Sequence, residues 1–519
     1  MRLPNPMTAT GRLRDALPGF SRRWRDALAD PKRANGALLL TLAAYVLVWT
    51  VYGTIAKGTQ GLHFDMLEVI AWSRDLSLGY LKHPPLAAAV AWAWFSIFPV
   101  AEWSYYLLAM TMPALALWIV WHLSADYLDA DKRIAGLALL MLVPFFNFHA
   151  LKFNVNTVLM PLAAATTLWF LRSVRTRSAL YAALAGIGAA GSMLGKYWSI
   201  FLLAGLVTAV LADRRRAAYF KSTAPWITII TGFVVLLPHV VWLRNNNFAP
   251  FTYAMSIHGD KPFIDTLIAA LGYLAGSIGY VALPVILVLI AARPSRATLK
   301  EMIWPADTER RLAAAAFWGP FLLPAAGALV SGTEITSLWS MSAWTLLPVL
   351  LLSPPAIASA TTWRERDTRR VLLLAAALPL VMLIVSPAIA IMTRRDGPPP
   401  PAVQSPLLAV EVERLWHEAI PAPLRYVGGD GDILLGVVAY ATDRPHALLT
   451  GISEPGEVEL RRAGMVLLCF TGDAPCLNAA TKAAGSGGSR TTQTAISQKS
   501  WGKVLPARSY TVIIVPPRL

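Results

Sequence analysis

Apolar residues in this chain fall in long runs broken by short polar clusters. They do not alternate with polar ones as they would along the half-buried strands of a soluble protein. Taken in order, the runs cover 36–55, 86–99, 103–123, 134–148, 156–171, 179–195, 197–212, 224–243, 265–292, 312–331, 336–353 and 371–393. A helix that crosses a bilayer needs about 20 apolar residues. The run 86–99 falls short of that and is expected to lie on the membrane surface. With it set aside, eleven spans remain, and the basic clusters at 132–133, 172–177, 214–221, 293–311 and 364–370 all fall on one side. That side is the cytoplasmic one by the positive-inside rule.

This reading divides the chain into regions. Residues 1–35 form a basic tail expected in the cytoplasm, followed by an uncleaved first span, and residues 36–393 form the membrane domain. Residues 56–102 become a large first outer loop of amphipathic helices lying on the interface. The stretch RRDGPPPPAVQSP, 394–406, reads as an extended proline-rich linker unable to hold helix. Beyond it, residues 407–519 alternate helical and strand-like patterns as a small α/β domain does, with AAGSGGSRTTQTAIS read as a flexible loop. The expected fold is an all-α polytopic membrane bundle of about eleven spans with a small C-terminal α/β outer domain.

Composition supports the membrane assignment: only 15% of the 519 residues are charged and the mean hydropathy is +0.51. The net charge of +16 does not indicate nucleic acid, because the basic residues flank apolar runs instead of lining one stripe. The two cysteines, Cys469 and Cys476, both lie in the domain placed outside, as a short-loop disulfide in an oxidising compartment would. Two unrelated buried thiols are the alternative.

Candidate chemistry concentrates at one boundary. Asp65 and Glu68 are three apart and share one helix face. A carboxylate held there suits a general base toward a hydroxyl, or a ligand of a divalent cation, and it also suits an inert solvated face. Lys82 and His83 precede Pro84-Pro85, a rigid turn suited to gripping a phosphate or carboxylate; a lysine snorkelling to headgroups is the alternative. The same outer side receives His149, Lys152, Asn154 and Asn156, Lys196 in GKYW, and His239 and Arg244 in HVVWLRNNN. These groups are interfacial, whereas a transporter places its ionisable residues near the midplane and shows paired halves. No internal repeat is visible.

The run D-x-x-E-x-x-x-W-S-R-x-L-x-L-G-Y-x-K-H-P-P-L, from Asp65 to Leu86, resembles the first-loop signature of bacterial polyprenyl-phosphate-dependent glycosyltransferases. That group includes the aminoarabinose and galacturonic acid transferases of lipopolysaccharide and, more remotely, the protein O-mannosyltransferases. FNVNTVLMPL, LGKYW and PHVVWLRNNNFAPFTYA continue the resemblance. The chain departs from it in carrying Asp65-Met66 for an adjacent Asp-Glu, and Lys82-His83 for the Glu-Lys of the aminoarabinose enzymes.

The resemblance implies a class C glycosyltransferase fold with a cavity roofed by first-loop helices. It implies catalytic work at Asp65, with Glu68 the nearest second carboxylate. Lys82, His83, Lys196 and Arg244 would hold the donor phosphate, and Asn154, Asn156, Tyr197 and His239 would line the cavity. The partners implied are a polyprenyl-phosphate-linked sugar, an envelope glycan, glycolipid or protein acceptor, and the bilayer of a bacterial inner membrane. A divalent metal ion stays open as a requirement. A protein O-glycosyltransferase and a lipid-linked sugar transporter are the alternatives.

Overall fold

The structure, a computed structural model, describes residues 19–359, 362–394, 397, 399–449, 455–485 and 488–518. Seven described helices are long and apolar enough to cross a membrane. They are α1 (Ala34–Lys57), α4 (Glu102–Ser124), α6 (Val155–Thr176), α9 (Ala224–Asn245), α11 (Phe263–Ala292), α12 (Thr308–Ser331) and α13 (Glu365–Thr393). At 1.5 Å per residue the 24 residues of α1 reach roughly 36 Å, enough to cross the hydrocarbon. Outward-facing Ile229, Ile230 and Phe233 on α9, and Ile268 and Leu271 on α11, are exposed in the isolated chain and suit contact with lipid.

The eleven expected spans therefore resolve into seven helices of spanning length and four shorter or broken segments. The run 134–148 becomes α5 (Ala130–Met141) and then a 3-10 turn at Pro144–Phe146. The break has a local cause: Pro144 holds Val143 extended and removes a backbone donor. The run 336–353 splits into 3-10 turns at Ser337–Ser340 and Ala343–Leu346 before a helix at Leu347–Leu352. Helices α7 (Ala179–Gly195) and α8 (Ile200–Ala212) are short, parted at Lys196.

The first loop holds two helices, α2 (Phe64–Arg74) and α3 (Leu86–Phe95), and α3 at ten residues is too short to cross. Every residue of α2 from Met66 to Ser73 is buried, so this loop is packed into the protein and does not float over it. A short helix, α10 (Ala249–His258), follows α9.

The proline-rich stretch does not stay extended. Helix α14 (Pro401–Ala419) begins inside it, with Pro400 as N-cap and Pro401 in its first turn. Proline is tolerated there because its missing N–H is one the helix would leave unpaired anyway. The C-terminal domain then runs β1 (Tyr426–Gly429), α15 (Gly431–Tyr440), β2 (His446–Ala447), α16 (Glu457–Ala463), β3 (Met465–Phe470), α17 (Ala474–Ala484), β4 (Arg490–Ile496), a hairpin of β5 (Lys499–Ser500) and β6 (Lys503–Val504), and β7 (Arg508–Val515).

Its main sheet has the order β2-β1-β3-β7-β4, parallel between β2, β1 and β3 and antiparallel onward. Strand β4 lies where a flexible loop was expected. RTTQTAI is polar, but its threonines suit a half-exposed edge that alternates toward solvent. Cys469 of β3 and Cys476 of α17 are joined as a disulfide.

Candidate functional site

Five chain segments meet at one end of the bundle: the start of α2, the turn before α3, the loop leading into α6, the break between α7 and α8, and the last turns of α9. The start of α2 is fixed by His63, whose Nδ1 accepts from the backbone N–H of Asp65 at 3.1 Å. This N-cap leaves the Asp65 carboxylate in the first turn, 39% exposed.

Asn154 performs two tasks. As N-cap of α6 its Oδ1 accepts from the backbone N–H groups of Asn156 (2.9 Å) and Thr157 (3.4 Å). Its Nδ2 then points the other way and donates to Asp65 Oδ2 at 3.0 Å. Lys152 Nζ reaches the same oxygen at 3.2 Å. Burial pushes the Asp65 carboxyl up, but Lys152, Asn154 and His63 outweigh it and hold it below its ordinary value. Asp65 is therefore ionised across the neutral range.

Asn156, two residues on, accepts from Lys196 Nζ at 2.6 Å. Lys196 is 8% exposed, and its ammonium also lies 4.7 Å from the Trp339 ring. Among the described residues no carboxylate pairs with it. Burial pushes its pKa down to about 7, with Asp65 opposing and Lys152 adding to the fall. The first turn of α6 thus links an ionised carboxylate, through Asn154 and Asn156, to a buried lysine without a counter-ion.

Lys82 is different: its Nζ donates to Glu68 Oε1 at 2.6 Å. Burial lowers the Lys82 ammonium, but Glu68 more than compensates and raises it above its usual range. Glu68, 7% exposed, is thereby occupied as an ion-pair partner and is not a second free carboxylate beside Asp65. His83 packs edge-on to Trp72 at 5.7 Å, and burial together with nearby Lys196 pushes its pKa down to about 3. It is a neutral imidazole, not one more cation.

Tyr197 and His239 form a tether. His239 Nδ1 lies 2.6 Å from the Leu78 carbonyl oxygen, which only accepts, so this nitrogen carries the proton. Nε2 must then accept from the Tyr197 hydroxyl at 3.1 Å. The pair fixes residues 77–79 of the first loop to α9. Gly79 is required there, because a Cβ would fall 2.4 Å from the Trp242 ring. Arg244, in the last turn of α9, is exposed and makes no hydrogen bond or ion pair with these groups. It is not brought to the cluster.

A cavity of about 350 Å³ opens beside Asp65, with Lys57, His63, His149, Lys152, Asn154 and Asn156 in its wall. Of these, His149, Lys152, Asn154 and Asn156 stood out in the sequence, but neither the pairing of Lys152 with Asp65 nor the His63 cap was foreseen. Among the described residues no group of three or more His, Cys, Asp or Glu gathers as metal ligands. Asp65 and Glu68, the two candidates for a divalent ion, each face a lysine, a poor neighbour for a dication.

Residues 82–242 match the sequence model of a family described as dolichyl-phosphate-mannose-protein mannosyltransferase. Two similar curated proteins come from Rhizobium johnstonii. The chain is 27% identical over 245 residues to the lipopolysaccharide core galacturonosyltransferase RgtB, covering 46% of this chain and 49% of RgtB. It is 25% identical over 260 residues to RgtA, of the same description, covering 48% and 50%. The chain thus spans about half the length of the curated relatives it matches.

Among solved structures it is similar to ArnT from Cupriavidus metallidurans bound to undecaprenyl phosphate, with a TM-score of 0.60 and 13% identity over 92% of this chain and 98% of that one. The apo state of the same protein gives a TM-score of 0.58. The resemblance read from residues 65–86 is borne out as a likeness: part of the chain matches a glycosyltransferase family and two curated glycosyltransferases, and the fold is similar to that of ArnT.

Proposed function

We propose that this multi-pass membrane protein transfers a sugar from a polyprenyl-phosphate donor to a hydroxyl of an envelope glycolipid or glycan, on the non-cytoplasmic side of a bacterial inner membrane. The observation that supports this most is the hydrogen-bonded link from Asp65 through Asn154 and Asn156 to Lys196. It sets a base and an anion-seeking cation at a fixed separation, as displacement at an anomeric carbon requires.

In this reading the acceptor enters the cavity beside Asp65. Its oxygen attacks the anomeric carbon, its proton passes to Asp65, and the bond from that carbon to the phosphate oxygen breaks with inversion. The electron pair leaves on the polyprenyl phosphate. Lys196 meets the charge that develops there, and the approaching phosphate raises the lysine's pKa back above neutral. Lys82, its charge balanced by Glu68, steadies the turn before α3, and neutral His83 supplies a hydrogen bond. Tyr197 and His239 keep the first loop closed over the site. An activated donor makes a sugar nucleotide unnecessary.

Transfer from a labelled polyprenyl-phosphate sugar to envelope acceptors, with membranes holding the intact chain or Asp65→Asn, tests the proposal. Label reaching acceptor with the intact chain alone supports it, and equal transfer by an inserted Asp65→Asn protein removes Asp65 as the base. The family match to a protein mannosyltransferase favours one second reading, a protein hydroxyl as acceptor. Label recovered in protein, not in glycolipid, would select it.

A further inference from the structure

The helix that carries Asp65 is held along its length by the C-terminal domain, with α15 packed against α2. At the N-terminal end Gly431 comes so near Phe64 that a Cβ there would lie 3.9 Å from the ring. At the other end Arg74 Nη2 donates to the Ala439 carbonyl oxygen at 3.0 Å. Just beyond, the Asp75 carboxylate that closes α2 is hydrogen-bonded and ion-paired to His446 Nδ1 at the start of β2. Among the described residues the other Asp75 oxygen, Oδ2, is buried without a partner, as is Arg74 Nη1. His446 is thus the group that compensates a largely enclosed carboxylate, and its loss leaves that carboxylate uncovered.

We propose that His446 is a positioning residue for transfer: by gripping Asp75 it lets the C-terminal domain fix α2 along its axis and so set Asp65 against Asn154 and Lys152. The proposal rests on the reading of Asp65 as the base. At this end the membrane domain grips the backbone of α2 and leaves the Asp75 carboxylate to the C-terminal domain. Tyr105 holds the Met66 carbonyl near Asp65, and Tyr80 holds the Trp72 and Asp75 carbonyls, but neither reaches a charged side chain. A shift of about 1 Å at a reacting group can cost as much as a hundredfold in rate, so a partial loss of grip is measurable.

The latch follows pH. The groups facing it are Asp75 and Arg74 from α2, Glu459 from α16, and the Tyr426 ring of β1 at 5.7 Å; Arg444 and Glu413 act in turn on Arg74. Asp75 raises the His446 pKa above its ordinary value, with burial and Arg74 opposing and Glu459 assisting. The sign follows: the charged latch is complete below pH 6.5 and is lost as pH rises through the raised value.

The experiment uses the full chain in membranes and compares His446→Ala, His446→Lys and Asp65→Asn with the unaltered protein in sugar transfer from pH 5.5 to 8.5. Hydrogen exchange across residues 64–75 of the purified protein is measured at matched pH. His446→Ala should transfer roughly tenfold more slowly at pH 6 and approach the unaltered protein at pH 8.5. His446→Lys, which keeps its charge, should retain activity at pH 8.5, and residues 64–75 should exchange faster in His446→Ala at pH 6 while the spanning helices do not.

A constant ratio of His446→Ala to unaltered protein at every pH, or unchanged exchange over 64–75, overturns the proposal. A His446→Ala protein as active as the unaltered one, beside an inactive Asp65→Asn, defeats the positioning role alone. An active Asp65→Asn defeats the base instead, and the exchange comparison then still decides whether His446 holds α2.

Discussion

Lys82 and Lys196 lie at the same end of the bundle and differ in what surrounds them. Lys82 sits 30% exposed in the turn before α3 and meets Glu68, so its charge is balanced within the protein. Lys196 sits in the break between α7 and α8, 8% exposed, with an amide oxygen and an aromatic ring but, among the described residues, no carboxylate. A buried ammonium left unbalanced is costly to keep and is retained where an incoming anion completes it. One lysine is part of the scaffold's own electrostatics; the other waits for a ligand.

If that contrast is right, the largest effect belongs to Lys196. Lys196→Met should lower transfer by roughly 100- to 1000-fold, as loss of a donor aimed at developing charge does elsewhere. The protein should insert and unfold as before, because an apolar side chain suits that environment. Transfer rates and a detergent melting curve on the same sample check both halves. Equal losses at Lys196 and Lys82 would break the contrast.

A pH profile sharpens it. Burial brings Lys196 to about 7 in the free protein, so the form that binds phosphate declines as pH rises through that value. The expected result is kcat/KM for the donor falling above about pH 7, while kcat, set with phosphate bound, holds to higher pH. Lys196→Arg, charged at every pH used, should lose that falling limb whatever its absolute rate.

Lys82→Met should act mainly on stability. It leaves Glu68 buried and unpaired, at a cost of about 1–2 kcal/mol once the solvent reaching Lys82 is allowed for. Burial already raises the Glu68 pKa, so in the variant this carboxyl escapes part of the cost by taking a proton. The loss should therefore be greater at pH 8 than at pH 5, and Lys82→Met with Glu68→Gln should recover most of it. Thermal unfolding of the three proteins at both pH values measures this.

The sequence made the membrane runs, the first loop and the alternating C-terminal elements legible, because hydrophobic length and period depend on local composition. What it hid were partners distant in the chain. Spacing put Asp65 and Glu68 on one face but could not show that Lys82 takes Glu68 while Lys152 and Asn154 take Asp65. His239 read as a cavity wall, yet its two nitrogens are committed to Leu78 and Tyr197. Broken spans escaped notice where a single proline, Pro144, outweighed an apolar run, and β4 escaped because its threonines look like loop. His446 carried no signal at all, since its partner Asp75 lies 371 residues away.

Arg244 gives the smallest expected effect and the cleanest check on reasoning by resemblance. It shares a matching stretch with His239, but five residues along a helix place it well away in direction from the tethered histidine. The side chain is exposed and bonded to none of the cluster. Its position in the last turn of α9 suits a cation near the negative end of the helix dipole, worth a few tenths of a kcal/mol at an exposed site. Arg244→Ala should leave transfer within about twofold of the unaltered chain, well under the loss expected for a donor aimed at developing charge. A loss approaching that of Lys196→Met would mean that Arg244 swings onto the donor phosphate when donor binds, and the division between a balanced and a waiting cation would have to include a third, mobile one.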